Sequence, residues 1–157
     1  MSQLRKYVNL VEQYERNTNK FYHGSIKRLD VGVILTPRTN YEDIWGKTDF
    51  YNALEYYRPS HMLSHKQSIF MVHDEEDIDL AGGDTEWIFV VKPLGKIQKH
   101  DINWSSEISG LIDDGFDILS NEIKNAAYNY WHGVPHYNES VWEYLTTKAE
   151  IIDVYEF

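Results

Sequence analysis

The stretch Thr85-Glu86-Trp87-Ile88-Phe89-Val90-Val91 constrains this chain more than any other. It is rich in aromatic and β-branched side chains and closes on Pro93-Leu94-Gly95, so it reads as the strongest strand of the sequence. Shorter strand-like runs surround it at 20–23, 32–35, 68–72 and 149–157, and 96–102 is expected to pair with it. Helical patterns separate them. Leu4, Tyr7, Val8, Val11 and Tyr14 recur at helical spacing behind a capping Ser2. Residues 40–57 read as a helix weakened at Gly46 and ended by Arg58-Pro59-Ser60, and two more helices are expected near 105–112 and 116–131. The acidic stretch 74–81 reads as a turn or two of helix stopped by Gly82-Gly83. Strands and helices interleave irregularly rather than in βαβ units, which argues for an α+β fold over a doubly wound sheet. With 157 residues and no repeat or linker, the expectation is one domain over 1–157, a helix over 1–18 preceding a core over 20–157.

Charge narrows the partners. The formal charge of −10 disfavours a protein that grips phosphate backbone non-specifically, since such affinity comes from basic patches that release counterions. A basic groove around Lys20, Lys27, Arg28 and Arg38 stays open as a local exception. The run Asp74-Glu75-Glu76-Asp77-Ile78-Asp79 is in its plainest reading a solvated loop or helix start. Its sharper reading is an acidic surface that binds a basic protein or mimics nucleic acid. Twelve Tyr and five Trp exceed what a minimal core needs, and some are expected to line a site for a flat ring. No cysteine is present, which excludes thiolate ligands and a Cys nucleophile. No apolar run approaches the roughly 18 residues of a membrane span, and the opening MSQLRKYVNL does not read as a signal peptide, so a cytoplasmic protein without membrane contact is expected.

Familiar catalytic motifs are missing. His61 and His65 stand four apart, as do His132 and His136, but Pro59 precedes the first pair and Gly133 and Pro135 interrupt the second. Neither stretch suits a regular helix that would aim both imidazoles at one metal, and no HExxH is present, so no metal is expected. GxSxG, GxxxxGK[ST] and GxGxxG are absent as well.

What remains is a joint pattern. His23-Gly24 lies on an early strand, Ser68-Ile69-Phe70 on a middle one, and Val141-Trp142-Glu143-Tyr144-Leu145 just before the last. In this order the chain resembles the ADP-ribosyltransferase superfamily over roughly residues 20–157. The resemblance implies a split β-sheet core with flanking helices and NAD, as co-substrate, in the cleft between its halves. It implies Glu143 as the catalytic carboxylate, His23 on the adenosine-side ribose, the Gly24 backbone against the nicotinamide amide, and Ser25 as a further NAD-binding residue. Ser68 would support Glu143 and the ribose, Phe70 or a nearby tyrosine would pack on the nicotinamide, and Thr36 and Arg38 would meet the pyrophosphate. Such chemistry needs little machinery: the pyridinium departs neutral, and one carboxylate facing the positive charge that develops on the ribose supplies the electrostatic stabilisation.

The implied activity is mono-ADP-ribosyl transfer from NAD to a macromolecular acceptor, a protein rather than a nucleic acid, of the kind a small phage or bacterial toxin-like effector performs. Val141 stands where the arginine-directed subgroup carries a second Glu or Gln, and the second motif has no tyrosine, so the resemblance leaves the acceptor open. Each residue also has a plain reading: His23-Gly24 as a strand end, Ser68 as a strand start, Phe70 as core, Glu143 as the exposed edge of an amphipathic segment. Glu139 competes as the acidic motif. The rival activities are NAD hydrolysis at the same site, transfer of an RNA 2′-phosphate, and a non-enzymatic acidic decoy.

Overall fold

A computed structural model describes residues 20–157, and the helix expected over 1–18 lies outside the described residues. The fold is mixed α+β, built on two antiparallel sheets. The first contains β1 (Phe21–Ser25), β2 (Ile34–Leu35), β4 (Trp87–Pro93) and β7 (Ala149–Glu156) in the order β1-β4-β7-β2. The second contains β3 (Ile69–Met71), β5 (Gln98–Asp101) and β6 (Trp142–Thr146) in the order β3-β6-β5. β4 is central, as its composition demands: Ile88, Phe89, Val90 and Val91 are all buried.

One expectation changes here. The segment after β4 pairs not with it but with β6 in the other sheet, His100 opposite Glu143 and Asp101 opposite Trp142. The turn Leu94-Gly95 carries the chain from one sheet to the other, and a local pattern cannot distinguish that step from a hairpin. The Glu143 segment does stand just before the last strand, and it is itself a strand, β6.

The sheets share a core. Ile69 and Met71 from β3 pack with Phe89 and Val91 from β4 and Ala149 and Ile151 from β7. The far side of the three-stranded sheet is covered by α2 (Asp49–Tyr57), α3 (Ile102–Asp113) and α4 (Asn121–Trp131), through Leu54, Trp104, Ile108, Ile123, Tyr130 and Trp131. The helix starts follow capping chemistry. The Thr48 hydroxyl accepts from Tyr51 N–H, the Asp101 carboxylate from Asn103 N–H and the Ser120 hydroxyl from Ile123 N–H. Gly46 divides the first expected helix into α1 (Tyr41–Trp45) and α2, and the helix expected from 116 begins at Asn121, behind its Ser120 cap. The acidic stretch holds one short 3₁₀ turn, Glu75–Asp77, followed by Gly82 at φ 78°.

One backbone bridge joins the sheets at their edges. Tyr22 N–H donates to Val72 O at 2.7 Å and Val72 N–H to Tyr22 O at 3.0 Å. β1 and β3 therefore meet side by side, and the cleft opens along that seam. Among the described residues no helix is long and apolar enough to cross a membrane.

Candidate active site

A cavity of about 390 Å³ lies along the seam, with His23, Gly24, Arg38, Tyr41, Phe70 and Glu143 in its wall. Its size is that of a small-molecule site. Thr36 and Ser68 line it as well, so seven of the eight residues singled out from the sequence converge there: His23, Gly24, Thr36, Arg38, Ser68, Phe70 and Glu143. Ser25 does not. Its hydroxyl donates to Lys27 O at 2.7 Å and holds its own turn.

Glu143 is only 4% exposed. β6 alternates, so Trp142, Tyr144 and Thr146 take one face while Glu143 and Leu145 take the other, toward the helices and the cavity. The reading of Glu143 as an exposed amphipathic edge is thereby overturned. Glu139 is exposed and away from the cavity wall, and its backbone carbonyl accepts from the Asn103 side chain. Burial raises the Glu143 carboxyl from the ordinary 4.5 to about 7, opposed by a hydrogen bond that Tyr130 donates to Oε1 at 2.5 Å. Among the described residues the hydrogen bond to this carboxylate is the one from Tyr130 to Oε1, and Oε2 is not among the fully enclosed unpartnered atoms, which are His100 Nε2 and Thr146 Oγ1.

The Tyr130 hydroxyl belongs to a longer chain. His65 Nε2 lies 2.7 Å from it, and His65 Nδ1 lies 3.2 Å from the Tyr41 hydroxyl. His65 heads a 3₁₀ turn, His65–Gln67, fixed by a capping box between Ser64 and Gln67. Burial pushes the His65 imidazole down to about 3, so it is neutral. The Tyr41 ring stacks on Phe70 at 6.2 Å and meets His65 edge-on. Tyr41 and Phe70 thus give the cavity a flat aromatic wall beside the carboxylate.

His23 Nδ1 lies 2.7 Å from the Phe70 carbonyl oxygen. A carbonyl can only accept, so Nδ1 carries the hydrogen and Nε2 keeps a lone pair. Burial lowers its basicity. Gly24 is required by a close approach rather than by its φ. A Cβ there would stand 1.9 Å from Asp84 O and 2.5 Å from Ile78 Cγ2. Its N–H and C=O point outward like those of Tyr22, two residues earlier on the same strand, because antiparallel ladders alternate. Tyr22 meets Val72 on that edge, whereas Gly24 has no backbone partner there among the described residues.

The Ser68 hydroxyl donates to Ser64 O at 2.8 Å, so it offers the cavity an acceptor and makes no bond to Glu143. Among the described residues Arg38 is the one Lys or Arg in the wall, and it pairs with Asp84 at 3.1 Å. A shallower groove adjoins the cavity at Arg38 and Tyr41 and adds Lys66. Among the described residues no three His, Asp or Glu side chains converge as metal ligands.

Tyr41, His65 and Tyr130 are the residues that sequence reasoning missed. A signal existed for Tyr130. Ile123, Ala126, Ala127, Tyr130 and Trp131 form the buried stripe of α4, and a tyrosine in such a stripe needs a partner for its hydroxyl. No family model matches the chain, and a search of curated proteins finds no match.

Proposed function

We propose that the protein is an NAD-dependent mono-ADP-ribosyltransferase whose catalytic carboxylate is Glu143. One observation carries the reading: a buried carboxylate held by Tyr130 through one oxygen shares a cavity with His23, the open Gly24 edge and the Tyr41–Phe70 wall. Two antiparallel sheets meeting at β1 and β3 are in keeping with a split core of the ADP-ribosyltransferase type.

The residues suit the substrate. NAD supplies a nicotinamide that leaves with the electron pair of the broken C1′–N bond. The Gly24 N–H and C=O match the acceptor and donor of a carboxamide. Phe70 and Tyr41 offer a face for its ring, and His23 Nε2 an acceptor for a ribose hydroxyl. Glu143 accepts from a hydroxyl through Oε2 and opposes the positive charge that develops on the sugar, an effect that a water-poor site strengthens. Arg38 stands at the junction with the adjoining groove, where the phosphates would lie.

Incubation with NAD labelled in its adenylate moiety tests the reading. Label on a macromolecule is the expected result. Free labelled ADP-ribose would place water as the acceptor, and unconsumed NAD under folded conditions would refute the proposal.

A further inference from the structure

The hydrogen-bond chain behind Glu143 has a direction, and that direction follows from the chemistry of its members. An ionised carboxylate only accepts, so the Tyr130 hydroxyl must donate to Oε1. The single phenolic hydrogen is then used, and the Tyr130 oxygen must accept from His65 Nε2 at 2.7 Å. Neutral imidazole carries one hydrogen, so Nδ1 is left as an acceptor, and the Tyr41 hydroxyl donates to it. Three side chains from three separate segments are thereby aligned on one carboxylate oxygen.

We propose that Tyr130, His65 and Tyr41 are positioning residues for Glu143: a one-way chain of hydrogen bonds occupies Oε1 inside the protein and leaves Oε2 as the single carboxylate acceptor offered to a ligand hydroxyl. The chemical class of ligand follows from the surroundings. Tyr41 ends the chain and also stacks on Phe70 in the cavity wall, so a flat ring on that wall lies beside the held carboxylate. A ring joined to a polyol, as in a nucleoside, satisfies both features.

The alternative is that the chain only specifies the core, as buried polar networks do. Its geometry argues otherwise. A purely structural carboxylate would have both oxygens satisfied, as Asp101 does: its Oδ1 accepts from Asn103 N–H and Val141 N–H, and its Oδ2 from His136 N–H. Glu143 has one oxygen satisfied within the chain. Around this group stand Tyr130 from α4, His65 from its 3₁₀ turn, Tyr41 from α1 and His100 opposite on β5. Arg58 acts on His65, and Arg38, Glu55 and Tyr51 act on Tyr41.

The test uses the full chain labelled with ¹³C at glutamate carboxyls and ¹⁵N at histidine. At about pH 8, with Glu143 ionised, His65 should be the Nε2–H tautomer. Tyr130→Phe keeps the packing and removes the donor, so the Glu143 titration midpoint should rise by on the order of one pH unit. His65→Leu should move it the same way by less, which covers the case of a Tyr130 variant that does not fold. Tyr128→Phe, at an exposed tyrosine of the same helix, should leave it in place. The kinetic arm rests on the transferase reading: Tyr130→Phe should lower kcat about tenfold with KM changed less than about threefold. An Nδ1–H tautomer, an unmoved midpoint in both chain variants, or parental turnover by Tyr130→Phe would overturn the proposal. If the parent consumes no NAD, the transferase reading falls alone, and the tautomer and midpoint still decide the chain.

Discussion

His23 Nδ1 donates to the backbone carbonyl of Phe70 across 2.7 Å, a side-chain bond between the two sheets in the wall of the cavity. The histidine that the sequence marks as a ligand contact is therefore also a structural tie. His23→Ala should lower stability by about 2 kcal/mol, from the lost bond and the carbonyl left without a donor, besides weakening NAD binding. Urea unfolding of the variant, followed by NAD titration under conditions where it stays folded, separates the two effects. A variant as stable as the parent would contradict the tie.

Gly24→Ala should be more damaging than its size suggests. The new methyl group meets a backbone carbonyl, Asp84 O, which cannot rotate away as a side chain would. Overpacking of this kind costs about 1–3 kcal/mol. The expected result is a lowered unfolding midpoint in denaturant with an unchanged slope.

Glu143→Gln tests the carboxylate itself. The substitution keeps size and most hydrogen bonding but removes the charge, so turnover should fall on the order of 10²–10³ while NAD affinity changes little. Glu139→Gln, at an exposed site away from the cavity wall, should leave turnover unchanged. Parallel assays of the two variants decide the assignment.

Stability should depend on pH through the same group. The Glu143 carboxyl titrates near 4.5 when unfolded and about 7 when folded. Between these values the folded state holds a proton that the unfolded state has released, so stability from this group falls as pH rises and levels off above about 7. Glu143→Gln removes that penalty. It should be more stable than the parent at about pH 8, by up to the order of 3 kcal/mol, and close to it near pH 4. His65 and His100 act on the acid side. Burial holds them at about 3 and about 4, so the unfolded chain takes up protons first as pH falls below about 6.5, and stability declines there. Thermal melts of parent and variant across this range provide the check.

NAD should raise Tm by mass action if only the folded chain binds it, and NADH, with an uncharged and puckered ring, should raise it less. Equal shifts would count against recognition of the cationic ring beside Glu143.

The α+β class, the strong strand read at 85–91 and found at 87–93, and the final strand were legible in the sequence, because each is set by side chains within a few residues of one another. So was the candidate group His23, Gly24, Phe70 and Glu143, though as an order along the chain and not as a place. The caps at Thr48 and Ser120 were not, since both residues fall inside stretches that read as continuous helix. Tertiary structure decided the rest. Strand period two assigns Glu143 the same face as Leu145, but only the helical layer makes that face a buried one. Residues 98–101 pair with β6 rather than β4 because hydrogen-bonding edges are interchangeable and packing of the two sheets selects between them. The Tyr41–His65–Tyr130–Glu143 chain joins residues up to 102 positions apart in sequence. No local pattern announces it, since each hydroxyl and imidazole acquires its direction only from the partner that folding brings against it.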